Sequence, residues 1–296
     1  MFGIKKMKRM WHEYMVDHCP RKVIDKIWRN KYGHEIDWNH PQDINEKIQW
    51  LICYGDTSKW PLLADKYKVR DYIKEKGYEN LLPILYGVWN DANDIDFSKL
   101  PEKFILKCNH DSGTYFIVNK KGYNKDEIVS ELNKALKRKF GYDHCEPHYN
   151  KIKPLIVAEE LLEDHNKSLS TSLIDYKVWC FDGKPYSIWV CRNRDHNGTD
   201  TSLFDLEWHY HPENSVFTSY FRDGGGEIPK PVILDEMLTA AANLSKGFPE
   251  VRMDFYIVNG KLYFGEMTFT SSTGKMDFYT KDYLNKLGAQ CILPYK

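Results

Sequence analysis

The sequence lacks a net charge and a long apolar run, and each absence excludes a class of function. Forty-two basic residues balance forty-two acidic ones, so the protein as a whole has no field that attracts nucleic acid, and any phosphate-binding site must be local. No apolar run approaches the roughly 20 residues of a membrane span, and the first residues lack the apolar segment of a secretory signal. We therefore expect a cytoplasmic protein that does not bind nucleic acid.

Paired cysteine motifs, internal repeats and low-complexity tracts are also missing. Seven cysteines without a CxxC pair predict reduced, mostly buried thiols rather than a disulfide framework. His144, Cys145 and His148 lie close together, but no second cluster is near them in the sequence, which favours a polar loop over a metal site. A hydrophobic content of 42% and an aromatic content of 15% predict a folded protein with a substantial core.

Hydrophobic periodicity predicts several helices. The first residues interleave lysine and arginine with methionine and lead to Trp11 and Tyr14, a pattern typical of an ordinary first helix and also compatible with an anionic membrane surface. Capping residues and apolar spacing predict further helices. These helices cover residues 43–55, 61–76, 124–140 and 235–247.

Runs of β-branched and aromatic residues predict strands between the helices. The predicted strands cover residues 82–88, 104–108, 155–162, 176–181 and 185–192. Asp182-Gly183 joins the last two as a hairpin. Residues 193–227 are polar and aromatic and contain three consecutive glycines, so we expect a long insertion or mobile flap rather than a core element.

Residues 251–274 contain the strongest candidate for a metal site. Asn259-Gly260 separates two runs of aromatic and β-branched residues, which predicts a hairpin with a tight turn. A strict two-residue turn pairs Asp254 with Gly265, whereas a loop one residue longer pairs Asp254 with Glu266. Only the second register brings both carboxylates to one face, where they and a nearby hydroxyl suit a hard ion such as Mg²⁺. By itself the pattern is equally typical of a hairpin whose acids face water.

The loop at 109–114, Asn-His-Asp-Ser-Gly-Thr, lies between two strand-like runs and is therefore a hairpin tip rather than a Walker loop. Backbone N–H groups around Ser112 and Gly113 could close over the phosphates of a nucleotide, with Lys107 supplying a cation at the strand end. A glycine in a turn is often only a turn, so both interpretations stay open at this point.

The order of these motifs resembles an ATP-grasp enzyme. It runs from Asp65-Lys66 through Lys107 and its glycine loop, then AEELL at 158–162 and DYKVWCFDGK at 175–184, to RMD and GEMT within 252–268. More narrowly, KFILKCNHDSGT together with VRMDFYIVNGKLYFGEMTFTSSTG is similar to the TupA-like (teichuronopeptide-biosynthesis) ATP-grasp family of bacterial surface-polysaccharide gene clusters. The resemblance covers about residues 61–277 and depends on the ordered set, not on one motif.

The resemblance implies a role for each matching residue. Lys66 and Lys107 match the lysines that hold the phosphates of ATP, and Gly113 belongs to the loop that covers them. Arg252 matches an arginine next to the transferred phosphoryl group, which makes Arg252 and Lys107 the expected catalytic residues. The other matches are Glu159 for the adenine amino group, Glu160 and Leu161 for backbone contacts, Leu162 for packing on the ring, Asp175 for the ribose, and Asp254 and Glu266 for magnesium.

Two departures from the family pattern affect these expectations. ATP-grasp sites commonly end in Glu-x-Asn, whereas this chain has Glu266-Met267-Thr268, so the third metal ligand is expected to be the hydroxyl of Thr268 or to be displaced to Thr270 or Ser271. The usual preceding α/β domain is replaced by about sixty mostly helical residues.

The implied fold is α+β, with two ATP-grasp subdomains that clamp ATP after a mostly helical N-terminal extension. The predicted limits are 1–60 for the extension, 61–153 for the subdomain with the phosphate-binding lysines and the glycine loop, and 154–296 for the subdomain with the adenine hinge and the magnesium site.

The implied reaction is ATP-dependent amide formation in bacterial surface-polysaccharide biosynthesis, with ATP and Mg²⁺ as cofactors. A carboxylate, from a uronic acid or an amino acid, attacks ATP to give an acylphosphate that an amine then captures. The expected partners are a small amine or amino acid and a carboxylate-bearing sugar or glycan precursor, and the basic first helix is compatible with the inner face of the membrane. Arg192 and Arg194 are candidates for holding the anionic substrate, although surface charge explains them equally well.

Two other classes of function remain open. Asp94-Ile95-Asp96 fits the DxD pattern of a metal-dependent glycosyltransferase that uses a nucleotide sugar, although it lies in a polar loop where Asp94 can equally cap a turn. A nucleotide-binding protein without ligase activity is the other alternative, because the substitution at Thr268 is compatible with lost catalysis.

Overall fold

The computed structural model describes residues 2–164 and 167–294, which form α-helices and two β-sheets. The helices are α1 (Phe2–His18), α2 (Pro20–Tyr32), α3 (Ile44–Tyr54), α4 (Trp60–Leu63), α5 (Val69–Glu75), α6 (Lys125–Ala135), α7 (Phe140–Asp143), α8 (Leu234–Ser245) and α9 (Lys281–Gln290). The strands are β1 (Leu85–Trp89), β2 (Lys103–Cys108), β3 (Tyr115–Asn119), β4 (Ile156–Glu159), β5 (Asp175–Phe181), β6 (Lys184–Asp195), β7 (Gly198–Phe204), β8 (Phe221–Asp223), β9 (Val251–Val258) and β10 (Lys261–Thr268). None of the described helices is both long and apolar enough to cross a membrane.

The smaller sheet has four antiparallel strands in the order β1-β4-β2-β3. Phe104 and Leu106 on β2 and Ala158 on β4 are fully buried in a hydrophobic cluster that also contains Ile128 and Leu132 of α6. Because side chains alternate along a strand, the residues between these apolar ones project from the opposite face. The alternation therefore directs one face of the sheet towards the hydrophobic cluster and leaves the other face outside it.

The larger sheet has six strands in the order β10-β9-β5-β6-β7-β8, antiparallel except for the parallel pair β7 and β8. Met237, Ala240 and Leu244 of α8 are fully buried, and α8 contacts β5, β6 and β9. Met253 and Phe255 on β9 are also fully buried. Their neighbours in the strand, which point the other way, carry the charges described below.

The chain divides into two compact units. The first contains residues 1–41, 49–69 and 84–161, and the second contains residues 42–48, 70–83 and 162–296. β4, which the predicted division assigns to the last subdomain, pairs with β1 and β2. The predicted limits at 60/61 and 153/154 stay a prediction, because the compact units of a chain need not coincide with the subdomains of its fold.

Several predicted elements are confirmed, including α3, α8 and both glycine-turn hairpins. The single helix predicted over 61–76 is wrong, because the structure has two short helices, α4 and α5, with a turn between them. Asp65 explains the break: its Oδ1 accepts hydrogen bonds from the backbone N–H groups of Tyr67 (2.8 Å) and Lys68 (3.2 Å). A carboxylate that binds its own backbone in this way favours a turn over a continuous helix.

The helix predicted over 124–140 begins where expected, but in the structure it ends five residues before the predicted end. The side chain of Asn124 caps its first turn by accepting from Glu127 N (3.2 Å). Three-residue turn bonds from Lys137 N to Lys134 O and from Arg138 N to Ala135 O then replace the helical bonds, so α6 ends at Ala135.

The expected insertion or flap at 193–227 is also wrong in part, because β7 and β8 extend the larger sheet within it. Leu203 and Phe204 are buried. The threonines and the serine of β7 are buried too, and their hydroxyls bind backbone carbonyls, as in Thr199 Oγ1 to Arg192 O (3.0 Å) and Ser202 Oγ to Gly225 O (2.6 Å). Satisfied hydroxyls allow a polar sequence to form an inner strand.

Candidate active site

Lys107 and Glu159 form an ion pair on the face of the smaller sheet opposite the hydrophobic cluster. Lys107 lies opposite Val157 and Glu159 lies opposite Ile105, so both side chains project from the face that is free of the hydrophobic cluster. Lys107 Nζ is 2.5 Å from Glu159 Oε2. The two residues predicted to bind the phosphate and the adenine amino group therefore bind each other in this structure.

The predicted glycine loop connects β2 and β3 and lies beside Lys66. Gly113 has a φ of +93° and, like Ser112, is exposed. Lys66 Nζ donates a hydrogen bond to the carbonyl oxygen of Asp111, and Lys66 N donates to Asn109 O (3.3 Å). The loop and the lysine predicted to share a phosphate are thus adjacent.

Asn109 explains why Lys66 lies there. Its Nδ2 donates to Asp65 Oδ1 (2.8 Å) and to Lys153 O (3.1 Å), and its Oδ1 accepts from Leu155 N (2.7 Å). Burial raises the pKa of Asp65 despite these hydrogen bonds. A buried amide with three partners fixes the turn between α4 and α5 against the glycine loop.

The predicted adenine hinge directly follows β4. Glu160 N donates to Ile84 O (2.9 Å), and Glu160 Oε2 accepts from Ile84 N (3.2 Å). Leu161 and Leu162 follow in an irregular, half-buried segment. The backbone N–H of Glu160 is therefore already used within the first unit.

The turn of the metal-site hairpin is shorter than expected. Pairing of Asp254 with Glu266 was expected to require a loop one residue longer. Val258 pairs with Lys261, so the turn contains only Asn259-Gly260, both with positive φ. The pairing continues to Phe255 opposite Phe264 and then shifts, so that Glu266 lies opposite Asp254. The extra residue is in the strand, as a bulge at Gly265, and not in the loop.

Gly265 makes this bulge possible because its backbone approaches that of Asp254. A Cβ atom at position 265 would lie 2.9 Å from the carbonyl oxygen of Asp254, closer than real Cβ atoms approach. The glycine therefore allows the strand to shift by one residue. The shift places the carboxylates of Asp254 and Glu266 on the same face of the sheet.

Two cations hold the buried carboxylate of Asp254. Arg252 donates from Nε to Oδ1 and from Nη2 to Oδ2, both at 2.7 Å, and Lys177 Nζ lies 2.5 Å from Oδ2. Burial alone would raise the pKa of Asp254, but Arg252 and Lys177 outweigh it and lower the pKa below the ordinary value. Asp254 is therefore a carboxylate that stays ionised inside the protein.

The oxygens of the three predicted metal ligands converge on one cationic atom. Arg252 Nη2 lies 2.7 Å from Asp254 Oδ2, 3.5 Å from Glu266 Oε1 and 3.3 Å from Thr268 Oγ1. Thr268 also donates to Glu266 Oε1 (3.0 Å), whereas Ser271 accepts from Arg252 Nη1 (3.2 Å). Two carboxylates and a hydroxyl around a positive charge are the donor set that Mg²⁺ prefers, so the residues fit this metal.

Lys177 is a component of this cluster that the sequence interpretation missed. It is buried and lies opposite Asp254 in the pairing of β5 with β9, and it contacts Asp175 as well (2.6 Å). Burial opposes its charge, but Asp175 and Asp254 raise its pKa above the ordinary value. The alternation Asp175-x-Lys177 beside a carboxylate-bearing hairpin was the signal that could have found it.

Asp175 lies inside the charged cluster. Arg194 Nη2 is 3.3 Å from Asp175 Oδ2, and burial raises the pKa of Asp175 although Lys177 lowers it. Asp175 and burial together raise the pKa of Tyr256, which lies opposite Asp175 on β9. The contact between Asp175 and the ribose stays a prediction.

Of the two aspartates in the alternative DxD pattern, Asp96 binds groups in its own turn. Asp94 lies in a short 3₁₀ turn, and Asp96 accepts from Ser98 N (3.1 Å) and Ser98 Oγ (2.5 Å) and contacts Lys99 Nζ (3.2 Å). Asp96 is thus occupied as a turn cap. Among the described residues, no three histidine, cysteine or acidic side chains gather into a metal-binding group.

The order of these sites along the chain matches a known family. The family described as TupA-like ATPgrasp matches residues 46–292. The chain belongs to the TupA-like ATP-grasp family. This membership confirms the predicted family and the α+β ATP-grasp fold, and the predicted class of enzyme, an ATP-dependent ligase forming a carbon–nitrogen bond, agrees with it.

Solved structures of several ligases are similar to this TupA-like protein at low identity. A D-alanine–D-alanine ligase from Bacillus anthracis complexed with ATP is 16% identical over 78% of this chain and 65% of that chain, with a TM-score of 0.44. An L-amino acid ligase from Bacillus licheniformis is 12% identical over 85% and 55%, with a TM-score of 0.46. The ATP-grasp ligase PsnB complexed with a minimal precursor is 14% identical over 94% and 76%, with a TM-score of 0.40.

The TupA-like chain spans 65% of the length of the first of these ligases and 55% of the second. No curated protein matches the chain.

Proposed function

We propose that this TupA-like protein is an ATP-dependent carboxylate–amine ligase. The observation that carries the proposal is the convergence of Asp254, Glu266 and Thr268 on one cationic position beside buried Lys177. Membership of the ATP-grasp family supports the same class of reaction. A cluster that concentrates cations and hard oxygen ligands suits the handling of a phosphoryl group rather than a neutral substrate.

The proposed reaction needs no nucleophile from the protein. A substrate carboxylate oxygen forms a bond to the γ-phosphorus of ATP while the bond to ADP breaks, which gives an acylphosphate. The nitrogen of an amine then attacks the acyl carbon, phosphate leaves, and the amine loses a proton as the amide forms. Arg252 and Lys177 would stabilise the negative charge on the transferred phosphoryl group.

Asp254, Glu266 and Thr268 would hold Mg²⁺ in this proposal. When bound, Mg²⁺ would neutralise phosphate charge and orient the phosphates for displacement. Arg252 and Lys177 already bind Asp254, so these two cations would exchange part of their contact with the carboxylate for contact with phosphate oxygens. Such an exchange keeps every buried charge paired.

We assign nucleotide binding to the first-unit residues that the resemblance identified. Lys66, Lys107 and the backbone around Ser112 and Gly113 would bind phosphates. Lys107 must then release Glu159, which would accept the adenine amino group. The remaining adenine and ribose contacts would come from Glu160, Leu161, Leu162 and Asp175.

We further propose that the reaction belongs to bacterial surface-polysaccharide biosynthesis, with a uronic acid or amino acid as the carboxylate and an amino acid or small amine as the acceptor. The resemblance to teichuronopeptide biosynthesis supports this choice. Arg194 supports an anionic substrate, because its half-exposed guanidinium lies at the edge of the buried cluster. Arg192 is less suitable, since it donates to the carbonyl groups of Leu169 and Gly224.

The proposal is tested by ADP release from Mg²⁺-ATP in a matrix of amino acids and uronic-acid-containing precursors. Hydroxylamine added in place of the amine should trap the acylphosphate as a hydroxamate. We expect ADP release that depends on a carboxylate and an amide product that depends on an amine. Stabilisation by nucleotide sugars with sugar transfer, and no ADP release with any pair, would instead favour the glycosyltransferase.

A further inference from the structure

One face of α1 carries large apolar side chains that are exposed. Ile4, Met7, Met10, Trp11 and Tyr14 are between 51% and 65% exposed, and we call these five residues the apolar stripe. At 3.6 residues per turn, spacings of three, four and seven place them on one side of the helix. Trp11 and Tyr14 stack on each other along this side, with ring centroids 5.8 Å apart.

Side chains outside the apolar stripe attach α1 to the rest of the first unit. His12 Nε2 is 2.8 Å from Tyr142 O, Asp17 accepts from the hydroxyl of Tyr142 (2.7 Å), and Lys139 Nζ is 2.7 Å from Glu13 Oε2. Val16, on the side opposite the stripe, is fully buried. An ordinary surface helix packs its apolar face inward, whereas α1 packs its polar side inward and turns its apolar stripe outward.

The flanks of the apolar stripe are basic. Lys5, Lys6, Lys8 and Arg9 are exposed, and no acidic residue precedes Glu13. On the helical wheel, Lys6 and Lys8 lie at the two edges of the stripe. Long basic side chains at these edges can place their charges among anionic head groups while their methylene groups cover apolar surface.

We propose that α1 binds the surface of an anionic phospholipid bilayer, with the apolar stripe inserted among the lipids and its basic flanks on the head groups. The 17 residues of α1 would lie along the surface, since the helix is too short and too charged to cross it. This assignment does not depend on the proposed ligase reaction. It concerns where the protein acts rather than what it catalyses.

A second copy of the chain is the competing occupant of the stripe. Pairing two stripes would bring the basic flanks of two helices together, and like charges at such an interface oppose association. Anionic lipid instead neutralises the same cations. The charge of the flanks therefore favours the bilayer.

The test is flotation of the full chain with vesicles of equal parts phosphatidylcholine and phosphatidylglycerol, compared with vesicles of phosphatidylcholine alone. We expect binding to the anionic vesicles only, and weaker binding as salt screens the cations. The double variant Met7→Gln with Trp11→Gln should lower the partition coefficient by at least about tenfold. Replacing Lys6 and Lys8 with Gln should lower it by about 30-fold.

Matched variants separate these effects from general changes in apolarity or charge. Val232→Gln with Ile292→Gln alters two other exposed apolar residues, and Lys121→Gln with Lys230→Gln alters two other exposed lysines; neither pair should change flotation. Equal flotation of all variants would overturn the proposal. So would failure of the unaltered chain to float, or a dimer in sedimentation that only the stripe variant disrupts.

Discussion

Conservative replacement of Asp254 and of Glu266 should separate stability from catalysis, because the two carboxylates differ in burial. The side chain of Asp254 is 2% exposed and binds both Arg252 and Lys177, whereas that of Glu266 is 45% exposed. Asp254→Asn removes a negative charge from between two buried cations. Glu266→Gln removes one from a half-exposed position where water can replace it. Both variants should lose ligase activity, but only the first should lose stability.

The size of the stability loss follows from the cost of leaving buried charges uncompensated. Removing one partner of a buried ion pair typically costs about 3–5 kcal/mol. Asparagine keeps the shape and one acceptor oxygen, so we expect about 3 kcal/mol for Asp254→Asn, which lowers Tm by roughly 5 °C in a chain of this size. Glu266→Gln should stay within about 1 kcal/mol, as exposed pairs do.

Acidification should reproduce the effect of Asp254→Asn. The pKa of Asp254 is lowered in the folded state, so its stabilising contribution is present above the ordinary aspartate pKa of about 3.9 and is lost as the pH falls through the lower, folded-state pKa. The difference in unfolding free energy between the unaltered protein and Asp254→Asn should therefore shrink below about pH 4.

The assay is urea or thermal unfolding combined with ADP release. As a control, adding Lys177→Met to Asp254→Asn should recover part of the lost stability, because it removes one uncompensated cation. An Asp254→Asn protein as stable as the unaltered one would refute the reasoning about the buried cluster. Full activity of Glu266→Gln would remove Glu266 from the proposed metal site.

Three other changes test separate features. Gly265→Ala should cost about 1–3 kcal/mol and most of the activity by forcing its Cβ against the backbone of Asp254, while Gly122→Ala, where a Cβ meets nothing within 4 Å, should be neutral in unfolding and activity assays. Glu250→Gln should stabilise the protein at neutral pH, and this gain should disappear towards pH 4 in urea unfolding, because burial raises the pKa of Glu250 and the stabilising, protonated form is lost as the pH rises. Lys107→Gln should destabilise the protein alone, because it takes a cation away from the buried carboxylate of Glu159, and it should also reduce the rise in Tm that ATP causes; an unchanged rise in Tm with ATP would exclude its proposed phosphate contact.

Much of the fold was predictable because local signals and tertiary structure agree. Asn259-Gly260 and Asp182-Gly183 have the positive φ values that tight turns require, so both hairpins follow from the sequence. Helix α3 begins where Asp43 caps it, with its Oδ1 accepting from Glu46 N at 2.9 Å. Such signals depend on neighbours within a few residues.

The features that sequence reasoning missed depend on distant partners. β7 has no apolar alternation, because its hydroxyls are satisfied by carbonyls on other segments. The turn at Lys66 depends on Asn109, 44 residues from Asp65. Lys177 acquires its importance from Asp254, 77 residues away. Each of these contacts joins segments that are distant in the sequence, and the bulge at Gly265 is visible only once the pairing of both strands is known.

The charge balance of the cluster has a consequence for how metal and nucleotide bind. Three acidic side chains, Asp175, Asp254 and Glu266, already contact three basic ones, Lys177, Arg194 and Arg252. A divalent cation arriving alone would compete with Arg252 for the same oxygens and would add positive charge to a buried cluster without a counter-ion. The phosphates of a nucleotide supply that counter-ion and offer Arg252 and Lys177 new partners. We therefore expect Mg²⁺ to bind together with the nucleotide rather than before it, so the balanced cluster would admit the metal only when its substrate is present.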